Sequence, residues 1–396
     1  MRKLLLSLIV LALALSIIAT VVPAIGQART IVIAVDLAHG ESDKYLGYIQ
    51  HNITSVTVDG VTYPVKWINI TKGMKITLDL LKNVDILLIG QPTTGFAPEE
   101  MDAIKTWLQS GNKVLYIAGD SDYGGGPNTI DAVNKLLEYV GSKLRLEQAS
   151  VYTPYPDVRT YVYKGVEYPT NAKAYYRVLA FVEPDPMPEF YTSMIDEGIT
   201  KPILMHGPTC VIWVDEYGNY KDPVNETFPG LIRLVWFRRA YIGDNNPPSP
   251  YVYDILDYGQ GGPKSDSSFV AYAAEYLFNY NSLITVSGES LYGDYEPAWS
   301  SSYYGVDLDG PKFVTNLIRW WVKIITVGPL LPKTATVTVI QTATQIVTET
   351  KTVTQMQTVT VTTTTTQAVT DWTMAGVLGV VLLLIGIGIG YAIMRK

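Results

Sequence analysis

Few side chains in this chain can do chemistry, and most of them stand just behind runs of β-branched residues. Among 396 residues there are three histidines (His39, His51 and His206) and one cysteine, Cys210. The densest grouping is Asp36-Leu-Ala-His39-Gly-Glu41, two carboxylates and an imidazole directly behind the run Thr30 to Val35. Gln91 follows a second such run, and Asp120, Ser121 and Asp122 follow a third. If the runs are neighbouring parallel strands, these residues meet in the crevice at the strands' carboxyl ends, the default ligand site of such a sheet. Carboxylates with one imidazole suit a divalent cation, so a metal hydrolase is one reading and a solvated acidic rim the other. No organic cofactor is expected; a divalent cation is the one candidate, and its identity is open.

A nucleophile is harder to find. Cys210 lies in His206-Gly-Pro-Thr-Cys210-Val-Ile-Trp, an apolar run with no glycine after the thiol and no helix start. Its thiolate would lack stabilisation, so a buried structural role is expected. Ser290, in Gly288-Glu-Ser290-Leu-Tyr-Gly293, only partly matches a G-x-S-x-G elbow, and the carboxylates flanking Ser121 oppose an alkoxide. A serine hydrolase would need His39 or His206 as base, with Asp36 or Asp215 to orient it. Gly124 to Gly126 ahead of a helix can cradle an anion, but the nearby acids and the missing G-K-[ST] argue against phosphate. The expected catalytic set is therefore empty, with His39, Asp36, Ser290 and His206 as the fallback residues.

The elements that must position these groups alternate. Thr30 to Val35, Val84 to Ile89 and Lys113 to Ala118 are apolar runs of the kind buried on both faces of a parallel sheet. Pro98 opens a helix with Glu99 and Glu100 in its first turn, and Met101, Ile104, Trp107 and Leu108 form its apolar stripe. Pro127 opens another, with Ile130, Val133, Leu137 and Val140 on one face. Further on, Ile203 to Met205, Thr209 to Val214, Ile232 to Phe237 and Ser282 to Val286 read as strands. Phe269 to Tyr280 and Pro311 to Val322 read as helices. The pattern predicts an α/β, flavodoxin-like, mostly parallel sheet with helices on both faces. Segments near 150–200 and 240–265, rich in Tyr, Pro, Gly and Asp, are expected to be insertions, either long loops or a hairpin. Tyr there offers rigid amphipathic contact area for proteins or sugars.

The Asp36-to-Glu41 turn, the stretch ILLIGQPTTGFAPEEMDAIKTWLQSGNKVLYIAGD at 86–120, the Gly124-Gly-Gly126 turn and HGPT at 206–209 carry a resemblance. Together they resemble the class I glutamine amidotransferase-like fold, more narrowly the GIFT and DUF4350-type domains, over about 30–325. The resemblance implies a flavodoxin-like domain that acts in binding or assembly, as an accessory to a transporter or a surface layer, without the catalytic cysteine elbow. A working glutaminase is not expected.

The ends of the chain locate it. Met1-Arg-Lys3, the apolar run Leu4 to Val22 and the small residues up to Ala28 make a secretory signal over 1–28. Met374 to Met394 is 21 residues without charge, followed by Arg395-Lys396, which predicts a transmembrane helix with a cytoplasmic tail over 371–396. Between the α/β body (29–328) and that helix lies a stalk (329–370). From Thr334 to Thr370, 17 of 37 residues are Thr, the composition of an extended O-glycosylated stalk rather than a core. Asn52, Asn69 and Asn225 begin N-x-T sequons and are candidate glycosylation sites.

The reading is a single-pass membrane protein with its N-terminal domain outside the cell. Glycines 376, 379, 386, 388 and 390 suggest a homo-oligomer through the terminal helix. A net charge of −7, and 24 basic against 35 acidic residues within 29–332, argue against nucleic acid as partner. The expected function is recognition of an extracellular ligand or protein partner, with a glycan as one candidate. The alternative is a surface hydrolase using the acidic crevice or a serine.

Overall fold

The computed structural model describes residues 28–293, 295 and 298–330. The secretory signal, the Thr-rich tract and the terminal apolar segment lie outside the described residues. Among those described, no helix is long and apolar enough to cross a membrane.

The chain opens with β1 (Ile31–Asp36), helix α1 (Leu46–Asn52) and the hairpin β2 (Ser55–Val58) and β3 (Val61–Ile70). A single turn, α2 (Leu78–Leu81), leads to β4 (Ile86–Ile89), α3 (Pro98–Gln109), β5 (Val114–Ala118) and α4 (Gly126–Val140). Short strands follow: β6 (Leu144–Leu146), β7 (Ser150–Tyr152), β8 (Thr160–Tyr163), β9 (Val166–Pro169), β10 (Arg177–Val182), β11 (Ile203–His206), β12 (Val211–Val214) and β13 (Tyr220–Lys221). The last part holds β14 (Leu231–Gly243), the turn α5 (Ile255–Tyr258), β15 (Ser267–Leu277) and β16 (Ser282–Ser287). A small hairpin, β17 (Ser302–Tyr303) and β18 (Val306–Asp307), precedes the closing helix α6 (Gly310–Thr326).

The main sheet runs β11-β10-β14-β15-β16-β5-β4-β1-β3-β2, with β7 added alongside β14. Its centre is parallel: β16, β5, β4, β1 and β3 all point one way. The strands on one side of that centre, and β2 on the other, are antiparallel. The sheet is therefore mixed rather than mostly parallel. Much of the antiparallel wing comes from a segment whose sequence reads as helix. Phe269 to Tyr280 forms not a helix but β15, paired along its length to β14 and β16. Its Ala, Glu and Leu favour a helix, yet eight consecutive residues from Phe269 to Tyr276 are buried. Burial on every side suits a strand between two others and leaves no polar helix face. The stretch 150–200 holds a hairpin, β8–β9, and beyond that expectation supplies β7 and β10 to the main sheet.

Helices cover both faces. On one, Met101, Ile104, Trp107 and Leu108 of α3 and Ile130, Val133, Leu137 and Val140 of α4 pack with Leu87, Leu115 and Ile117 in one apolar cluster. On the other, α6 lays Trp321 against Tyr116, ring centroids 5.6 Å apart, and Phe313 against Tyr272 at 5.3 Å. Residues 115, 116 and 117 thus alternate between the two layers, as a strand's period of two requires. Pro98 opens α3 as expected, and Gly141 in the left-handed conformation (φ 83°) ends α4.

Register sets the polar edge. Asp36 pairs with Ile89, and Ile89 with Ile117, so the loops after β1, β4 and β5 leave the sheet together. The loop after β16 joins them, since Ser287 pairs with Ala118. Trp321 tests the α6 layer: its indole also donates to Thr285 Oγ1 at 3.0 Å. Trp321→Ala should cost about 3–5 kcal/mol, read as a lower urea midpoint at an unchanged slope.

Candidate functional site

At the shared edge the polar residues separate into three groups. The first is closed. Asp36 ends β1, and the turn behind it returns His39 so that Nδ1 lies 2.7 Å from Asp36 Oδ2. The other ring nitrogen, Nε2, lies 3.2 Å from Glu100 Oε2 in the first turn of α3. Glu100 also accepts from the amides of Ile76 and Ala97, each at 3.0 Å. Glu41 Oε2 accepts from the His39 amide at 2.9 Å, and Asp36 Oδ1 accepts from the Ala38 amide at 3.0 Å. All four side chains are buried. Asp36, His39 and Glu41 each bring one ligand atom within 4.8 Å of the others, a potential cation site.

The environment sets the charges. Burial works against a charged His39, but hydrogen bonds to Asp36 and Glu100 and their negative charge outweigh it, raising the imidazole to about 9. Burial, then repulsion from Asp36, pushes Glu41 up to about 9 as well. For Glu100 burial acts upward, yet the two amides and His39 prevail and hold it below the usual glutamate range. At neutral pH, His39 is thus an imidazolium bridging β1 and α3, and Glu41 is a neutral acid. A protonated imidazole with both nitrogens occupied is no general base. His39 is therefore unsuited to serve as a hydrolase base in this arrangement.

The second group is structural. Asp122 is fully buried, accepting from Ser150 Oγ at 2.6 Å and from the Asn245 side chain at 2.7 Å. Its other oxygen takes the amides of Asn245 and Asn246 at 2.5 and 3.2 Å. It ties the loop after β5 to the loop after β14 and is closed to a ligand.

The third group lines an open cleft of about 640 Å³. Gln91, Asp120, Ser121 and Glu289 come from the loops after β4, β5 and β16; Tyr152, Tyr176, Arg177 and His206 come from the antiparallel wing. His206 stacks on Tyr295 at 4.8 Å and meets Tyr176 edge-on at 5.0 Å. Tyr176 in turn meets Tyr175, and Tyr175 meets Tyr152. The result is an aromatic wall. Tyr123 and Tyr295, 72% and 63% exposed, stand at the lips. Glu289 Oε2 accepts from the His206 amide at 2.6 Å, joining the two sides.

The residues expected in a single crevice are thus divided. Asp36, His39 and Glu41 are joined by Glu100, Gln91, Asp120 and Ser121 line the cleft, and Asp122 is sequestered. Strand β4 lies between β1 and β5, so Asp36 and Asp120 do not leave adjacent strands. Ser290 is 1% exposed and its Oγ accepts from the Tyr292 amide at 3.2 Å, which removes it as a nucleophile. Asp215 holds the amides of Tyr217 and Asn219 in a turn. Cys210 is fully buried just ahead of β12, and burial pushes its thiol well above the ordinary value. Asn52, Asn69 and Asn225 are all exposed.

Sequence reasoning missed Glu100, read only as a helix-dipole carboxylate, although an N3 glutamate after a proline marks a buried cap. It also missed Glu289, Arg177 and Tyr295 as cleft residues, because the antiparallel wing that frames them was not foreseen.

No protein-family model matches the chain, and no curated protein does. Among solved structures, the mmIFT52 N-terminal domain gives a TM-score of 0.43 at 11% identity, covering 74% of this chain and 97% of that one. A ThuA-like protein from Bacteroides uniformis gives 0.36 at 12% identity, covering 78% and 98%. At these scores neither speaks to activity, and the site is read from its own geometry.

Two outcomes are expected. A pKa raised in the folded state stabilises at low pH: the contribution of His39 is complete below about 6.5 and is lost as pH rises through about 9. Glu41 has the same sign, with its loss starting from about 4.5. In chelator-treated protein the melting temperature should therefore fall from acid toward pH 9, and Glu41→Gln should flatten the slope below pH 6.5. Separately, Cys210→Ser should cost about 1–3 kcal/mol, and a thiol reagent should label Cys210 only when the protein unfolds.

Proposed function

We propose that the chain is an exported, membrane-anchored surface protein whose folded body is a non-catalytic, amidotransferase-like binding domain. The ligand would occupy the aromatic cleft. The parallel order β3-β1-β4-β5-β16 supports a flavodoxin-like reading of the sheet centre, and its crevice lies where such folds take ligands. The signal, stalk and terminal apolar segment of the sequence support placement outside the cell.

The observation that carries the reading is the composition of the cleft wall. Tyrosines at 123, 152, 175, 176 and 295 alternate with Gln91, Asp120, Arg177 and Glu289 around about 640 Å³. Aromatic rings pack against the C–H face of a sugar while amide, carboxylate and guanidinium groups take its hydroxyls. A saccharide of one or two rings fits that chemistry and volume. Asp36, His39, Glu100 and Asp122 at this edge are tied up in hydrogen bonds to one another and to neighbouring groups, and the one thiol is buried, which supports binding without turnover.

Isothermal titration of the detergent-solubilised full chain against an oligosaccharide panel tests this. One saccharide class should bind, and Tyr295→Ala and Tyr176→Ala should each weaken it about tenfold, or 1.4 kcal/mol, with an unchanged melting temperature. The saccharide should be recovered intact. No binding across the panel, or cleavage abolished by Ser121→Ala or His206→Ala, would overturn the reading.

A further inference from the structure

The buried group at the end of β1 contains more donor capacity than its hydrogen bonds use. Glu100 is fixed by the amides of Ile76 and Ala97 and reaches His39 at Nε2. A carboxylate held on one imidazole nitrogen orients the ring and makes the other nitrogen a better metal ligand. That other nitrogen, Nδ1, faces Asp36, and Glu41 completes the compact donor set.

Two buried polar atoms beside it have no hydrogen-bond partner. One is Glu41 Oε1, on a side chain 8% exposed; the other is the hydroxyl of Tyr292, wholly buried. The Tyr292 oxygen reaches this corner over Gly90, where an added Cβ would stand 3.0 Å from it. Burial, and then the nearby carboxyl groups of Glu41 and Asp36, raise the phenol's pKa. Buried oxygens without a partner are costly, and a cation would satisfy the carboxylate directly.

We propose that Asp36, Glu41 and Nδ1 of His39 form a binding site for a zinc-class divalent cation, with Glu100 as the residue that orients the imidazole. The proposal is independent of the cleft reading. On binding, Nδ1 and the neutral Glu41 carboxyl each release a proton to solvent, and Nδ1 exchanges its 2.7 Å hydrogen bond to Asp36 Oδ2 for a bond to the ion. Asp36 keeps the Ala38 amide on Oδ1, and Glu41 keeps the His39 amide on Oε2, so the free oxygen of each carboxylate turns to the metal without dismantling the turn. One nitrogen and a few carboxylate oxygens suit Zn²⁺ or Mn²⁺, whereas calcium takes about six to eight oxygens. A groove of about 330 Å³ between the Lys75–Leu78 segment and α3 touches the group at Glu100. Glu99 and Asp102 stand at its side, an acidic approach for a cation.

Metal-stripped full chain in detergent is titrated with zinc chloride against a chromophoric chelator, with a parallel melt. One equivalent should bind, and the melting temperature should rise as zinc passes its Kd. Glu41→Gln and Asp36→Asn should each abolish stoichiometric binding, and Glu100→Gln should weaken it by about 10–100-fold. Zinc-edge absorption fine structure of the wild type should show one imidazole nitrogen among oxygen neighbours, a readout that needs no variant to fold. Failure of the wild type to bind one equivalent, retention of that equivalent by folded Glu41→Gln and Asp36→Asn, or a sulfur neighbour at the metal would overturn the assignment.

Discussion

The in-register row Asp36–Ile89–Ile117 across β1, β4 and β5 governs the polar edge of this protein. Parallel strands in register release their loops at one level, so every carboxylate, imidazole and glycine turn behind those strands emerges in a single zone. The apolar residues of β4 and β5 are fully buried between helical layers. A one-residue slip would turn each of them to the opposite face. The edge is therefore held by the whole core rather than by its own contacts.

What that edge then does depends on desolvation. Where α3 presses Glu100 against the turn behind β1, water is excluded and the side chains solve the problem among themselves: His39 is held protonated and Glu41 neutral. A few residues along the same edge, Asp120 and Glu289 remain in contact with an open cleft. Low dielectric strengthens the hydrogen bonds within the first group.

The cleft owes its second wall to the antiparallel wing. β10 and β11 bring Tyr176, Arg177 and His206 to face the loops of the parallel centre. The Arg177 guanidinium lies 4.3 Å from the centroid of the Tyr304 ring, so the hairpin ahead of α6 also shapes that wall. Asp122, binding Ser150 and Asn245, ties the centre to the wing from below. A purely parallel domain would have the acidic rim without the aromatic wall.

Local sequence determined the elements whose signals are local. The apolar runs behind which Asp36, Gln91 and Asp120 stand are strands, and Pro98 with its stripe Met101, Ile104, Trp107 and Leu108 starts a helix where expected. The buried, unreactive position of Cys210 was also legible, since an apolar run without an elbow offers no stabilised thiolate. Tertiary structure decided the rest. The run from Phe269 to Tyr276 has helix-forming composition, and only its placement between β14 and β16 made it a strand. Asp36, Asp120 and Asp122 look alike in sequence, each an acid behind an apolar run. Their fates diverged because a carboxylate's role is set by which donors and how much water surround it, and those neighbours are 28 to 124 residues away for Asp122 and 61 for the His39–Glu100 bridge.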